Sequence, residues 1–325
     1  MVDAVPLPNA FAPVSGLSAA TSQGRPDHGG FWFDESPNEP AIQRLLTTRN
    51  VHQDDSGPQR IRIFDNPAFG RVLALDGYVQ TTERDEFIYH EMIAHVPILA
   101  HGAARSVLIV GGGDGGTLRE VLKHKTVQRA VLVEIDPRVV ELSRRYLPSI
   151  SAGAFDDPRT EIVIADGAAF VRDTTANFDV ILIDSTDPVG PGAKLSSAPF
   201  FALCRVRLRP GGILVAQSGV AFLQRDQISR TVKRLREIFS DVGVYTATVP
   251  TYYGGPMSFA WASDAAYRHT VSVEQLAERF AASGIATRYY TPALHQASFV
   301  LPAYLEDMLS GQATDHTTDR LQQGR

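Results

Sequence analysis

The stretch Ser106-Val-Leu-Ile-Val-Gly-Gly-Gly-Asp-Gly-Gly-Thr-Leu-Arg-Glu-Val-Leu122 decides the fold. An apolar run enters a glycine-packed turn, and a segment of helical character leaves it. Strand, glycine turn and helix in that order predict the first unit of a doubly wound α/β sheet. Gly111, Gly113 and Gly116 satisfy the G-x-G-x-x-G spacing that lets a backbone approach a nucleotide. Asp114 sits among those glycines, where a carboxylate would repel a phosphate at the helix N-terminus. Two unit charges ~4 Å apart at an effective dielectric of ~20 interact by roughly 4 kcal/mol. The charge disfavours a pyrophosphate and favours an ammonium group.

Outward from this turn, the runs RAVLVEID, TEIVIAD, DVILIDST and GGILVAQS follow SVLIVG, with helical segments between them. Such nearly all-apolar runs are expected of parallel strands buried on both faces. VGVYTATVP and MSFAWASD extend the same sheet. Upstream, residues 58–82 show short runs broken by DNPAFG and LDG, which predict hairpins. DEFIYHEMIAHVPILAHG predicts a helix, with Phe87, Ile88, Met92 and Ile93 as its apolar stripe. The expected organisation is a loose tail over 1–28, a small antiparallel β-domain over 29–84, a Rossmann-like catalytic domain over 85–310 and a polar tail over 311–325.

Ligands bind beyond the C-terminal ends of strands in such sheets. Each of four successive ends carries acid: Asp114; Glu134 with Asp136; Asp166 before Gly167; Asp184 with Asp187. Any one of them reads as a helix cap, but an acid after every strand points to a cationic ligand. Glu134 has the spacing of an acid that holds ribose hydroxyls. A nicotinamide dehydrogenase and an adenosyl-group transferase both fit that spacing, and Asp114 favours the second.

Composition restricts the field further. The 325 residues are 44% hydrophobic and 21% charged, as in soluble globular proteins, and the net charge of −5 offers no basic face for nucleic acid. Cys204 is the only cysteine, so an internal disulfide and a CxxC metal site are excluded. No apolar run reaches the roughly 18 residues of a membrane span, and no basic, apolar leader opens the chain. A cytoplasmic enzyme without membrane or metal is the expectation.

VLIVGGGDGGTLRE resembles the signature of the polyamine aminopropyltransferases, the bacterial branch above all. LALDGYVQTTERDEFIYHEMIAHVP, VEIDPRVVELSRRYLP, DVILIDSTDPVGPG, FSDVGVYTATVPTYYGG, FAWASD and ASFVLPAYL are similar to that family too, across residues 58–306. The resemblance implies a class I methyltransferase-like domain behind the β-domain. It also implies a cosubstrate, decarboxylated S-adenosylmethionine, whose aminopropyl group passes to putrescine to give spermidine and methylthioadenosine. No permanently bound cofactor is implied.

By the same resemblance, Asp184 is the proton acceptor and helps position the amine, and Asp187 binds the polyamine. Tyr89 and His90 line the amine channel, and Tyr252 faces the substrate. Asp114 holds the ammonium of the aminopropyl arm, Glu134 the ribose, Asp166 and Gly167 the adenine edge, and Pro191 lies beside the adenine. Gln59 matches the family's nucleoside-contacting glutamine at an ungapped distance from IFDNPAFG, with Gln53 in HQD as its competitor. NVHQDDSGPQRIRIF is longer than its family counterpart. Two departures, Lys194 in GAKLSSAPFF and the acid-free GVAF, leave the acceptor open among putrescine, cadaverine, agmatine and longer polyamines. A homodimer or homotetramer is implied, and open β-edges could pair between subunits. The rivals are a putrescine N-methyltransferase and a catalytically silent polyamine-binding paralogue.

Overall fold

The computed structural model describes residues 31–35, 41–185, 190–265 and 271–310. The expected tails over 1–28 and 311–325, and Asp187, lie outside the described residues.

Six strands come first: β1 (Phe31–Glu35), β2 (Gln43–Thr47), β3 (Arg49–Asp54), β4 (Ile61–Asn66), β5 (Gly70–Leu75) and β6 (Tyr78–Thr82). β1 and β2 form an antiparallel pair, and β3 to β6 form a four-stranded antiparallel sheet in chain order. The LDG signal closes β5 on β6. Leu75 pairs with Tyr78, and Asp76 and Gly77 both take positive φ, 53° and 92°. Two positive φ angles define the primed turn that suits twisted hairpins.

Helix α1 (Glu86–His101) then leads into β7 (Ser106–Gly111), α2 (Gly116–Lys123), β8 (Arg129–Glu134), α3 (Pro137–Tyr146), α4 (Pro148–Ser151), β9 (Thr160–Ile164), α5 (Gly167–Asp173) and β10 (Phe178–Asp184). After a 3₁₀ turn over Gly190–Ser196 come α6 (Ala198–Arg207), β11 (Leu208–Val220), α7 (Arg225–Arg236), β12 (Asp241–Ala247) and β13 (Met257–Ser263). The large sheet runs β12-β13-β11-β10-β7-β8-β9. Its β9-β8-β7-β10-β11 part is parallel, and β13 is antiparallel to both neighbours. The two later runs thus extend the sheet, as expected from the sequence.

Burial on both faces explains why β7, β8, β10 and the middle of β11 read as unbroken apolar runs, whereas β9, at the sheet edge, departs from that expectation and is nowhere fully buried. Val107, Ile109, Leu132 and Leu182 enter one core, while Leu108, Val110, Val133 and Ile181 enter the other. Helix α1 departs from the expected stripe. It is buried around almost its whole circumference, including Glu86, His90, Glu91 and His95, because the large sheet and α2 enclose it. Phe87 is the stripe member left partly open, beneath the Arg288 guanidinium at 3.7 Å. The four-stranded sheet packs Ile61, Ile63, Leu73 and Leu75 on Val139 and Leu142 of α3 and on Leu147 and Ile150. That contact brings the N-terminal sheet to the strand ends.

Candidate active site

Strand order in the large sheet reverses between the parallel neighbours β7 and β10, where Gly111 and Asp184 are register partners. Ligand crevices of open α/β sheets form at such a switch point. The glycines make room for acids there. A Cβ on Gly112, whose φ is 69°, would lie 2.7 Å from Asp184 Oδ2. One on Gly113 would lie 2.7 Å from Glu134 Oε2, and one on Gly116 would lie 2.2 Å from the His90 ring. Side chains larger than hydrogen would push the polar groups out of the crevice.

Asp184 is held from two sides. Tyr89 donates its hydroxyl to Oδ1 at 2.7 Å, and Thr117 donates its hydroxyl to Oδ2 at 2.6 Å. Burial pushes the Asp184 carboxyl above its usual range, and the charge of Asp114 adds to the rise. His90, Thr117 and Tyr89 oppose it only in part. Asp114 goes the other way. Burial would raise it too, but the charge and hydrogen bonding of His90 and the Gly116 N–H, at 2.7 Å from Oδ1, hold it low. Two neighbouring acids driven apart in this way can take different chemical parts.

His90 stands between two carboxylates. Its Nδ1 is 2.6 Å from Glu86 and its Nε2 is 3.5 Å from Asp114. Burial disfavours its charge, yet Asp114 and Glu86 outweigh that and bring its pKa to about 10. Glu86 is in turn gripped by Arg119 through two bonds of 3.0 and 2.8 Å. His90 is therefore a cation inside the site.

Tyr252 approaches from the β12–β13 connection. Its ring meets Tyr89 edge-on at 6.0 Å, and its hydroxyl donates to the Gln80 carbonyl at 2.5 Å. The backbone beside it is pinned from the N-terminal strands. Gln43 donates to the Thr251 carbonyl at 2.8 Å, and Asp85 accepts both the Thr251 N–H and hydroxyl.

On the β8 side, Glu134 is buried, and its Oε1 accepts the N–H groups of Ile135 and Asp136 at 2.8 and 3.0 Å. Burial raises its pKa to about 7 against those bonds. Asp136 and Asp166 serve as N-caps, accepting from Arg138 N and Ala169 N at 3.0 Å each. Capping thus accounts for part of the strand-end acids. Asp166 still exposes 39% of its side chain and has Lys194 Nζ at 3.8 Å, so its free face is open to a ligand. A Cβ on Gly167 would strike Val110 at 2.4 Å. Gln59 is buried, whereas Gln53 is exposed and bonds Asp55. Pro191 lies in the 3₁₀ turn, and its side chain is outside the described part.

Sequence reading missed three contributors to this geometry: Thr117, Glu86 and Arg119. Thr117 follows the glycine turn at the start of α2, and a hydroxyl at that place was its available signal. Glu86 and Arg119 carried no signal, since charges on predicted helices read as solvated faces.

The doubly wound sheet with an antiparallel β13 and an acid-lined crevice at its switch point defines a protein with a class I methyltransferase-like fold. Residues 86–273 match the Spermine/spermidine synthase domain, and residues 31–83 match the Spermidine synthase tetramerisation domain. The chain belongs to the spermine/spermidine synthase family and is an enzyme of that class. The polyamine aminopropyltransferase of Shigella flexneri serotype 5b (strain 8401) is 55% identical over 263 residues, spanning 81% of this chain and 91% of that protein. The polyamine aminopropyltransferase of Escherichia coli (strain K12 / DH10B) shows the same identity and coverage. Among solved structures, a spermidine synthase in complex with the transition-state analogue AdoDATO aligns with TM-score 0.82 and 40% identity, covering 86% of this chain and 95% of that one. Spermidine synthase from Thermotoga maritima aligns with TM-score 0.79 and 39% identity, covering 86% and 94%.

Proposed function

We propose that this enzyme transfers the aminopropyl group of decarboxylated S-adenosylmethionine to putrescine, giving spermidine and methylthioadenosine. The observation that carries this reading is the placing of two carboxylates in one buried crevice, Asp184 held by the Tyr89 and Thr117 hydroxyls and Asp114 held by His90 and the Gly116 N–H. Asp114, kept anionic, holds the terminal ammonium of the donor. Asp184, pushed up, is a better match for the proton of an amine whose own pKa is about 10. Asp184 takes that proton, the freed lone pair attacks the carbon next to the sulfonium, the C–N bond forms and the C–S bond breaks. The sulfonium accepts the electron pair and leaves as a neutral thioether. Tyr89 and Thr117 fix the direction of the Asp184 oxygens. His90 and Tyr252 face the acceptor, Asp187 helps bind it, and Glu134, Asp166, Gly167, Gln59 and Pro191 hold the nucleoside.

The test is direct. Purified protein with the decarboxylated donor is offered putrescine, cadaverine, agmatine and spermidine, and products are identified by mass. Spermidine and methylthioadenosine in equal amounts are expected, with putrescine the preferred acceptor. Absence of any aminopropylated product overturns the assignment.

Glu134 makes nucleoside binding depend on pH. Its carboxyl titrates at about 7 in the ligand-free protein, above the usual glutamate value. Ribose hydroxyls donate to the ionised form, so binding lowers that pKa. Affinity for methylthioadenosine is therefore expected to rise as pH goes from 5.5 to about 7 and to level off above it, with proton release on binding below 7. Calorimetry in two buffers of different ionisation enthalpy checks both. A flat profile would remove Glu134 from ribose recognition.

We also propose that the enzyme is a cytoplasmic homo-oligomer. The match to a tetramerisation domain and the exposed Phe31, Trp32 and Ile42 on the N-terminal strands and their connection support self-association.

A further inference from the structure

The end of β3 and its connection to β4, Asp54–Gln59, cross the start of α3 and meet the Arg138 side chain there. Arg138 Nη1 lies 3.0 Å from Asp54 Oδ1, and Nη2 donates to the Gln59 carbonyl at 2.7 Å. On its other side, Nε and Nη2 donate to Asp136 at 3.0 and 2.6 Å. Asp136 is fully buried, and its N–H is one of the two that Glu134 Oε1 accepts. The fork thus joins the Asp54–Gln59 connection to the Glu134–Asp136 turn. Two further features fit a built contact. Gln59 is buried although residues 55–58 and Arg60 are exposed. A Cβ on Gly57 would lie 2.2 Å from the guanidinium carbon, so the chain passes directly against the fork.

We infer that Arg138 is a positioning residue for nucleoside binding, clamping the Gln59 side of the crevice to the Glu134 side. The inference rests on the proposed nucleoside roles of Gln59 and Glu134. An arginine suits the task because its planar fork reaches acceptors on two elements at once, which a lysine ammonium does less well. The sheet itself does not depend on the clamp, since Ile61, Ile63, Leu73 and Leu75 hold it on α3. Without Arg138 the connection is released and buried Asp136 loses its guanidinium partner while keeping its place through the backbone N–H of residue 138, and Gln59 must be ordered at the moment of binding.

The experiment is a double-mutant cycle on methylthioadenosine affinity, measured by calorimetry, with Arg138→Ala, Gln59→Ala and the pair. Arg138→Ala is expected to raise Kd about tenfold, as for loss of charge-assisted hydrogen bonds, with the kinetic loss in the donor KM rather than in kcat. Arg138→Lys should fall between. If Arg138 acts through Gln59, it should have little further effect once Gln59 is Ala. Should Arg138→Ala fail to fold, Gly57→Ala, which presses on the fork while keeping it, carries the same expectation. A Kd within about twofold of wild type, or two effects that simply add, overturns the clamp and leaves the nucleoside reading intact. Failure of the wild-type enzyme to bind methylthioadenosine sinks that reading, and the clamp with it.

Discussion

Asp184→Asn is expected to lower kcat by about 10²–10⁴-fold, the range for removal of a general base, and at the same time to raise the melting temperature. The two effects have one source. Burial and the nearby Asp114 charge make the Asp184 anion costly in the folded protein. Its folded carboxyl titrates above the unfolded one, so its contribution to stability is complete below the unfolded pKa and is lost as pH rises through the folded pKa. The stabilising effect of the amide should therefore grow from acid toward neutral pH. The substitution keeps the shape, and the hydroxyls of Tyr89 and Thr117 can rotate to suit an amide, since each can donate or accept. Methylthioadenosine affinity should change little, because Glu134 is untouched. Wild-type rate should rise toward alkaline pH as free amine accumulates, and a slow variant should follow the same alkaline trend. Near wild-type kcat would exclude Asp184 as the base. A melting temperature that falls equally at every pH would show that its charge is not the strained group.

The fold was legible because its central strands are buried on both faces. VLIV, AVLV and VILI offer no polar residue that would suit an exposed face, and strands buried on both faces need such runs. The Asp76-Gly77 turn was legible for a similar reason, since few other pairs adopt two positive φ angles readily. The strand-end acids could be located but not sorted. Asp136 and Asp166 cap helices, while Asp184 and Glu134 turn into the crevice, and nothing in their spacing tells one kind from the other. Choosing Gln59 over Gln53 as the buried one needed the path of the Asp54–Gln59 connection, which an apolar pattern does not encode. The Glu86–Arg119 pair was hidden for a deeper reason. Its members are 33 positions apart on two helices, and their pairing depends on α1 being enclosed on all sides. A helix with charges at those positions would look the same in sequence if it lay on the surface.

Asp114→Asn is expected to reduce the preference for decarboxylated over intact S-adenosylmethionine by about 100-fold, roughly 2.7 kcal/mol. The two nucleosides share the adenosine and the sulfonium and differ in one carboxylate on the arm. A carboxylate placed ~4 Å from Asp114 would be repelled by roughly 4 kcal/mol at an effective dielectric of ~20. His90, a cation 3.5 Å from Asp114, offsets part of that field, so the smaller figure is expected. The amide retains an oxygen for the Gly116 N–H, which keeps the glycine turn in place. Methylthioadenosine has no arm, and its Kd should stay close to wild type. That comparison separates loss of arm recognition from collapse of the crevice. Competition binding with the three nucleosides gives the answer. Equal affinity of the wild-type enzyme for both S-adenosyl nucleosides would show that Asp114 does not select the donor. In that case the methyltransferase alternative would regain its standing, because intact S-adenosylmethionine would then be tolerated in a site otherwise fitted for an amine acceptor.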